Sequence, residues 1–363
     1  MTLNPEYDKT ALILLPRTPA RSTVEDLLLS TSRPFLIEEI RRRGVDVAVA
    51  RGSNSFNEAN GTMEPVLRPE YSPDRKSVTV HDIGKTGLEN FGVVRNISGP
   101  IRTDIQTPFL NPNSIRDFGH NKHRMLSEVL QPASMHDRTS LLLDGELTPS
   151  DIADNVSSIP GDLLVAKPNG GQLSRGILVG SKQHITEQLV AMLTDESTLP
   201  EPYIIEEMLD FSAELPSLRG MNTKEQDRLN HANHTGVNKE LRKYYFGNDT
   251  WDAAVHVTQV GETDFRNDDW LYVDLESIPE RIMAGGAEVV KLLREKTGTD
   301  EFNIAIDWVY AGSPSHPEPS WQAMEVNVAL PYLIGLDKHA EVGRRQQSKL
   351  AEQISRIATR PIA

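Results

Sequence analysis

Two short apolar runs, Ala11 to Leu15 and Val45 to Ala50, flank a segment with helical signals. Ser32 can cap that helix with Pro34 in its first turn, and Gly44 supplies its stop. Phe35, Leu36, Ile37 and Ile40 form its buried stripe. Strand, helix and strand in this order call for a crossover, because a hairpin cannot join two parallel strands. The chain should therefore open with a parallel sheet in an α/β lobe. Val78 to Ile83 and Phe91 to Ile97 read as further strands of that lobe. Residues 51–76, rich in Asn, Gly, Pro and Ser, read as loop.

At 363 residues the chain is too long for one ordinary core and suits two or three lobes. Beyond the first lobe, Asn121 can cap a helix carrying Met125, Leu126, Val129 and Leu130. Short strands follow at 141–143, 163–167, 177–180 and 203–209, with helices at 149–157 and 184–193. Residues 212–238 are polar and read as a mobile insertion. Strands at 240–246 and 251–260 meet at Gly247-Asn248-Asp249, a hairpin signal. Amphipathic helices are expected over 277–297 and 338–358.

Hydrophobic residues at 38% and charged residues at 25% describe a globular protein. A net charge of −14 lacks the basic footprint of a nucleic-acid binder but leaves nucleotide binding open. There is no cysteine, which excludes disulfides, thiolate metal sites and cysteine nucleophiles. Met1 to Thr10 is polar, unlike a signal peptide, and no apolar run reaches the roughly 20 residues of a membrane span. A cytoplasmic protein without nucleic-acid or membrane partners is the expectation.

Four elements carry chemistry. Ile304-Ala305-Ile306-Asp307 and Met324-Glu325-Val326-Asn327 are strand-like and end in oxygen-bearing side chains. Glu325 and Asn327 are two apart and share a strand face, where Asp307 can join them. Such hard oxygens suit Mg²⁺ held together with phosphates, or they are simply the wet face of a hairpin. Leu163 to Gly176 delivers Lys167 at a strand end and then a loop with Gly170, Gly171, Ser174 and Gly176. Glycines let backbone N–H groups approach phosphate oxygens, and the lysine adds charge; a plain glycine-rich turn is the other reading. The loop is neither a Walker loop nor a Rossmann fingerprint. Lys122 opens a helix, and Glu206-Glu207-Met208-Leu209 ends an apolar strand. Each is an ordinary solvated surface feature when taken alone.

The order of these elements resembles the ATP-grasp superfamily, in its glutathione synthetase-like and ribosomal-protein glutamate ligase branch. The resemblance spans Asn111, Asn121-Lys122, Val165 to Pro168 with the glycine loop, Ile204 to Glu207, Glu240 to Arg242, Asp307, and Glu325 to Asn327. Asp264-Phe265-Arg266-Asn267 echoes a Phe-Arg-x-Asn pattern of the same branch. It implies an ATP-grasp fold, α/β with α+β ATP-binding lobes, behind an N-terminal Rossmann-like lobe. The expected divisions are 1–115, 116–200 with the glycine loop, and 201–363 with the Mg²⁺ site.

The resemblance also implies roles. Lys122 and Lys167 hold the α- and β-phosphates, and Gly170, Gly171, Ser174 and Gly176 belong to the loop that closes over the triphosphate. Glu206, Glu207 and the backbone of Leu209 hold adenine, with Glu214 toward the ribose. Arg242 faces the γ-phosphate, and Asp307, Glu325 and Asn327 ligate Mg²⁺, two ions in the family. The implied activity is ATP-dependent ligation of a carboxylate to an amine, on an amino acid, small peptide or peptidyl side chain, with a homodimer as the family expectation. The alternative is an ATP-binding or kinase-like relative without ligation. A Rossmann-type NAD enzyme is disfavoured, since no G-x-G-x-x-G follows Ala11 to Leu15. Two further candidates are His231 with His234, read as solvated loop, and Arg95, which follows an apolar first-lobe strand and reads first as a plain surface arginine and second as one facing a substrate carboxylate.

Overall fold

All six residues of β1 (Thr10–Leu15) are buried, the mark of a strand covered on both faces of a parallel sheet. The computed structural model describes the chain except residues 1–8, 16–22, 30–32, 52–55, 58–61, 97–107, 171–175, 194–197, 217, 219–220, 235–237, 247–248, 259–268, 329–339 and 361–363. Helices α1 (Val24–Leu29) and α2 (Arg33–Arg42) lead to β2 (Asp46–Arg51), which lies parallel to β1. Leu36, Ile37 and Ile40 of α2 pack on the sheet as their spacing predicts, and Gly44 ends the segment at φ +79°. The expected cap, Ser32, lies outside the described residues.

The 51–76 region is not a loop. It holds β3 (Phe56–Asn57) and β4 (Thr62–Tyr71), and β4 forms an antiparallel ribbon with β5 (Val78–Gly87). Pro65 and Pro69 hide β4 in the sequence, because proline is admitted only on strand edges and at bulges. The ribbon accommodates them through register shifts at Met63, Val66 and Leu67. β6 (Val93–Asn96) and β7 (Phe109–Leu110) complete the sheet in the order β3-β4-β2-β1-β6-β7, with β5 on β4.

Next come α3 (Asn113–His120) and α4 (Lys122–Met125), which runs on into a π-helical turn over Leu126–Leu130. The second sheet is antiparallel, in the order β10-β9-β11-β8, from β8 (Ser140–Leu143), β9 (Leu163–Pro168), β10 (Leu178–Ser181) and β11 (Tyr203–Glu207). Helices α5 (Pro149–Ser158) and α6 (Lys182–Ala191) cover one of its faces through Ile152, Val156, Ile185 and Leu189.

The segment 212–238 carries a helix, α7 (Thr223–His234). Only Glu225, Leu229 and Ala232 of it are buried, too sparse a stripe to announce a helix. Asn222 caps it by accepting from Glu225 N at 2.9 Å, and His231 and His234 stand exposed on its last turn. The third sheet, antiparallel in the order β14-β13-β12-β15-β16, comprises β12 (Asn238–Phe246), β13 (Asp249–Thr258), β14 (Asp269–Val273), β15 (Asn303–Ala311) and β16 (Ser320–Asn327). Helix α8 (Glu280–Thr297) packs against it, ending at Gly298 in the left-handed region.

The last helix, α9 (Ala340–Ala358), ties the ends of the chain together. Its Leu350, Ala351, Ile354 and Ile357 share one core with Ile13, Val47 and Val93 of the first sheet and with Tyr244 and Ala305 of the third. Asn111 adds a polar clamp, donating to Asn303 O at 3.1 Å and Val328 O at 2.7 Å and accepting from Asn303 N at 2.7 Å. Buried Asn111 thus satisfies three backbone groups that the sheet leaves over. No helix among the described residues is long and apolar enough to cross a membrane.

Candidate active site

Three strands of the third sheet build a charged row. Register places Arg242 of β12 opposite Asp307 of β15, and Asp307 opposite Glu325 of β16. Directly opposed residues point to the same face. Pairing jumps from Trp308 with Ala323 to Asp307 with Glu325, so Met324 is an extra residue in β16. That bulge sets Glu325 and Asn327 on the Asp307 face. Arg242 grips Asp307 with both ends of its fork, Nε to Oδ1 at 2.5 Å and Nη2 to Oδ2 at 2.7 Å. Asn327 Nδ2 donates to the same Oδ2 at 2.8 Å. Burial works against the charge of Arg242, but Asp307 outweighs it and holds the guanidinium pKa above its ordinary value.

Glu325 has no such partner. Among the described residues its carboxylate makes no hydrogen bond or ion pair. Its side chain stays open to solvent, yet the protein crowded around it and the neighbouring Asp307 raise its pKa. Lys122, Lys167 and Arg242 pull the other way, so all four charges share one field.

The two lysines come together through Asn169. Asn121 caps α4 by accepting from Arg124 N at 2.8 Å. Lys122 N donates to Asn169 O at 3.1 Å and His123 N to Asn169 Oδ1 at 2.8 Å, bolting the helix start beside the end of β9. The Lys122 ammonium makes no hydrogen bond or ion pair among the described residues, and burial and Lys167 lower its pKa. In the glycine loop, Gly176 sits at φ +73°, where a Cβ would lie 2.9 Å from Pro168 Cγ. Gly170 leaves open space of ordinary contact distance, 3.8 Å from His120 O. Gly171 and Ser174 lie outside the described residues, as do residues 264–267.

Lys167 Nζ lies 2.6 Å from Glu206 Oε2. Two residues with no part in the sequence reading complete this knot. Arg138 Nη2 lies 3.4 Å from the same oxygen, and His136 Nε2 lies 3.7 Å from Oε1. Burial opposes the charge of Glu206, but Arg138 and Lys167 hold its carboxyl far below the usual carboxylate range. His136 is neutral at pH 7, pushed down to about 3 by burial and Arg138. Arg138 Nη1 and both His136 ring nitrogens are buried without hydrogen-bond partners among the described residues. The sequence signal is slight: His136 and Arg138 precede β8, and β8 pairs with β11 so that Ser140 faces Glu206.

Glu207 is a clamp between sheets. It accepts from Thr139 N at 2.9 Å, Ser315 N at 2.9 Å and Ser315 Oγ at 2.6 Å. Burial opposes its charge, yet the Ser315 and Thr139 bonds lower its pKa to about 2. Leu209 is buried with Val309 and Ala311, and Asp210 N donates to Gly312 O at 2.9 Å, so the chain crosses here to the third sheet. Glu214 is exposed, with His234 Nδ1 3.7 Å from its Oε1.

The donor set fits a divalent cation shared with phosphates. Asp307 and Glu325 carboxylates and the Asn327 amide oxygen are hard donors on one face, and their mutual repulsion is what such an ion relieves. Among the described residues no three acidic or histidine side chains form a ready-made metal cage. Mg²⁺ completed by substrate oxygens matches that incomplete set.

The sequence matches no protein-family model and no curated protein. The structure resembles solved enzymes along nearly its whole length. D-cycloserine synthetase DcsG aligns with TM-score 0.54 and 14% identity, over 95% of this chain and 99% of that one. The ATP-grasp ligase PsnB, complexed with a phosphomimetic variant of its minimal precursor, Mg and ADP, aligns with TM-score 0.53 and 12% identity, over 97% and 99%. D-alanine–D-alanine ligase from Bacillus anthracis aligns with TM-score 0.53 and 12% identity, over 96% and 97%. The chain has the ATP-grasp fold.

Proposed function

We propose that this chain, built on the ATP-grasp fold, is an ADP-forming carboxylate–amine ligase acting on an amino acid, small peptide or peptidyl side chain. One observation carries the reading: the Arg242–Asp307–Glu325 row faces the same field as Lys122 and Lys167. Phosphoryl transfer needs positioning and charge neutralisation more than a nucleophilic side chain, and this row has that composition. The breaks near residues 115 and 200 then separate a substrate lobe from the two that enclose ATP.

In this reading Lys122 and Lys167 hold the α- and β-phosphates, and Lys167 exchanges part of its contact with Glu206 for them. Asp307, Glu325 and Asn327 would hold Mg²⁺, which supplies charge neutralisation at the phosphates. Arg242, kept cationic by Asp307, faces the transferring phosphoryl group. The substrate carboxylate attacks the γ-phosphorus, ADP leaves, and an acyl phosphate forms. An amine then attacks the acyl carbon and inorganic phosphate departs, leaving an amide. The Gly170–Gly176 loop excludes water while the acyl phosphate exists. Leu209 and the backbone beside Glu206 supply the adenine wall, with Glu207 holding the two sheets in register around it.

An ADP-release screen over amino acids and dipeptides, with product mass spectrometry, tests this. ADP formed only when Mg²⁺, a carboxylate and an amine are all present is the expected result. Release without an acceptor-dependent amide would favour an ATP-binding or kinase-like protein instead.

A further inference from the structure

The first lobe holds a cationic pair that the ATP site does not use. In parallel sheets, ligands bind beyond the carboxyl ends of the strands. Arg95 is the third of four residues in β6, opposite Ile13 of β1. Val93, two residues earlier on the same face, packs with Ile13, Leu28 and Leu36, so Arg95 rises from the helix-covered side of the sheet. Helix α2 starts on that side with Arg33.

Arg33 lies close enough that its charge, after burial, lowers the Arg95 pKa, to about 10, and both groups remain cationic at neutral pH. Arg95 has no counter-charge among the described residues. Arg33 Nη1 donates to Leu27 O, and the Tyr71 hydroxyl, kept protonated by burial, donates to Leu28 O at 3.1 Å. Half-buried Arg95 makes no hydrogen bond or ion pair among the described residues. A desolvated guanidinium without a counter-charge is costly, and a second one beside it adds repulsion. An anion removes both costs, because the guanidinium fork takes two carboxylate oxygens at once.

We propose that Arg95, with Arg33 beside it, binds a carboxylate of the substrate at the carboxyl ends of β1 and β6. This carboxylate is not the one activated above Mg²⁺, so the substrate class is an acid with two carboxylates: a dicarboxylic acid, an acidic amino acid, or a peptide with an acidic side chain besides its C-terminus. Calling the anion a substrate group rests on the ligase reading; the anion site does not.

The test therefore needs no turnover. Calorimetric titration of the full chain with succinate and with inorganic phosphate, without ATP, compares wild type, Arg95→Gln and Arg95→Lys. Succinate should bind wild type, bind Arg95→Gln about ten- to a hundred-fold more weakly, as loss of one charge-assisted fork predicts, and bind Arg95→Lys at an intermediate level. Equal succinate affinity in wild type and Arg95→Gln would overturn the proposal, as would no succinate binding to wild type. Phosphate binding that is tighter than succinate and is weakened by Arg95→Gln would overturn the carboxylate assignment. Circular dichroism checks that Arg95→Gln is folded, and Arg33→Gln, which should also weaken succinate, provides a second variant if it is not. Because ADP release is not measured, failure here and failure of the ligase reading are separate results.

Discussion

Replacing Arg242 by Met leaves the Asp307 carboxylate inside the protein without its counter-charge. The pair is well buried, the side chains being 14% and 3% exposed, and its two contacts are 2.5 and 2.7 Å. Removing one member of a buried pair costs about 3–5 kcal/mol, whereas an exposed pair is worth about 0.2–1 kcal/mol. At roughly 1.3 °C per kcal/mol for a chain of 363 residues, Arg242→Met should melt about 5 °C below wild type. Asn327 can still donate to Asp307, which bounds the loss from above. In the variant, Asp307 and Glu325 repel each other with less cationic relief, so Mg²⁺ should recover more stability than it adds to wild type. Thermal and urea melts with and without Mg²⁺ read both effects. A loss below about 1 kcal/mol, or an equal Mg²⁺ response in both proteins, would refute the claim that Arg242 and the metal ligands share one field.

Three further outcomes follow from the same geometry. Lys122→Met should weaken binding of a non-hydrolysable ATP analogue at least about ten-fold with little change in melting temperature, because its ammonium holds no partner among the described residues. Lys167→Met should weaken the analogue and lower the melting temperature, since among the described residues the Glu206 carboxylate then keeps contacts at 3.4 and 3.7 Å. The Glu207 pKa is lowered from 4.5 to about 2, so its contribution is present at neutral pH and lost as pH falls through that window. Glu207→Gln should therefore destabilise the protein at pH 7 by on the order of 2 kcal/mol and flatten the acid limb of its stability curve, measured by urea melts at stepped pH.

What the sequence made legible was local and periodic. Glu325 and Asn327 share a face because strands repeat every two residues, but Asp307 joins that face only through the bulge at Met324, which no alternation announces. The need for glycine at Gly176 was readable for a similar reason: it adopts a conformation that disfavours other residues. Long-range pairing was not legible. Arg138 and His136 reach Glu206 only because β8 lies beside β11, a pairing no local pattern states. Glu207 reads as a solvated acid, but it is buried and bonded to Thr139 and Ser315, far from it in the chain. Strand β4 was masked by its own prolines, and α7 by having so few buried side chains. Local rules speak to backbone geometry, while these features depend on neighbours that only the assembled sheets bring near.

The most direct test of the ligase reading follows the oxygen. A substrate acid from the ADP-release screen, carrying heavy oxygen in its carboxylate, is turned over with ATP, Mg²⁺ and the amine, and the released phosphate is analysed by mass spectrometry. Attack of the carboxylate on the γ-phosphorus predicts one heavy oxygen in the phosphate for each amide formed. Phosphate without the label would mean that water or another nucleophile takes the phosphoryl group, and would contradict the mechanism proposed for Arg242, Asp307 and Glu325.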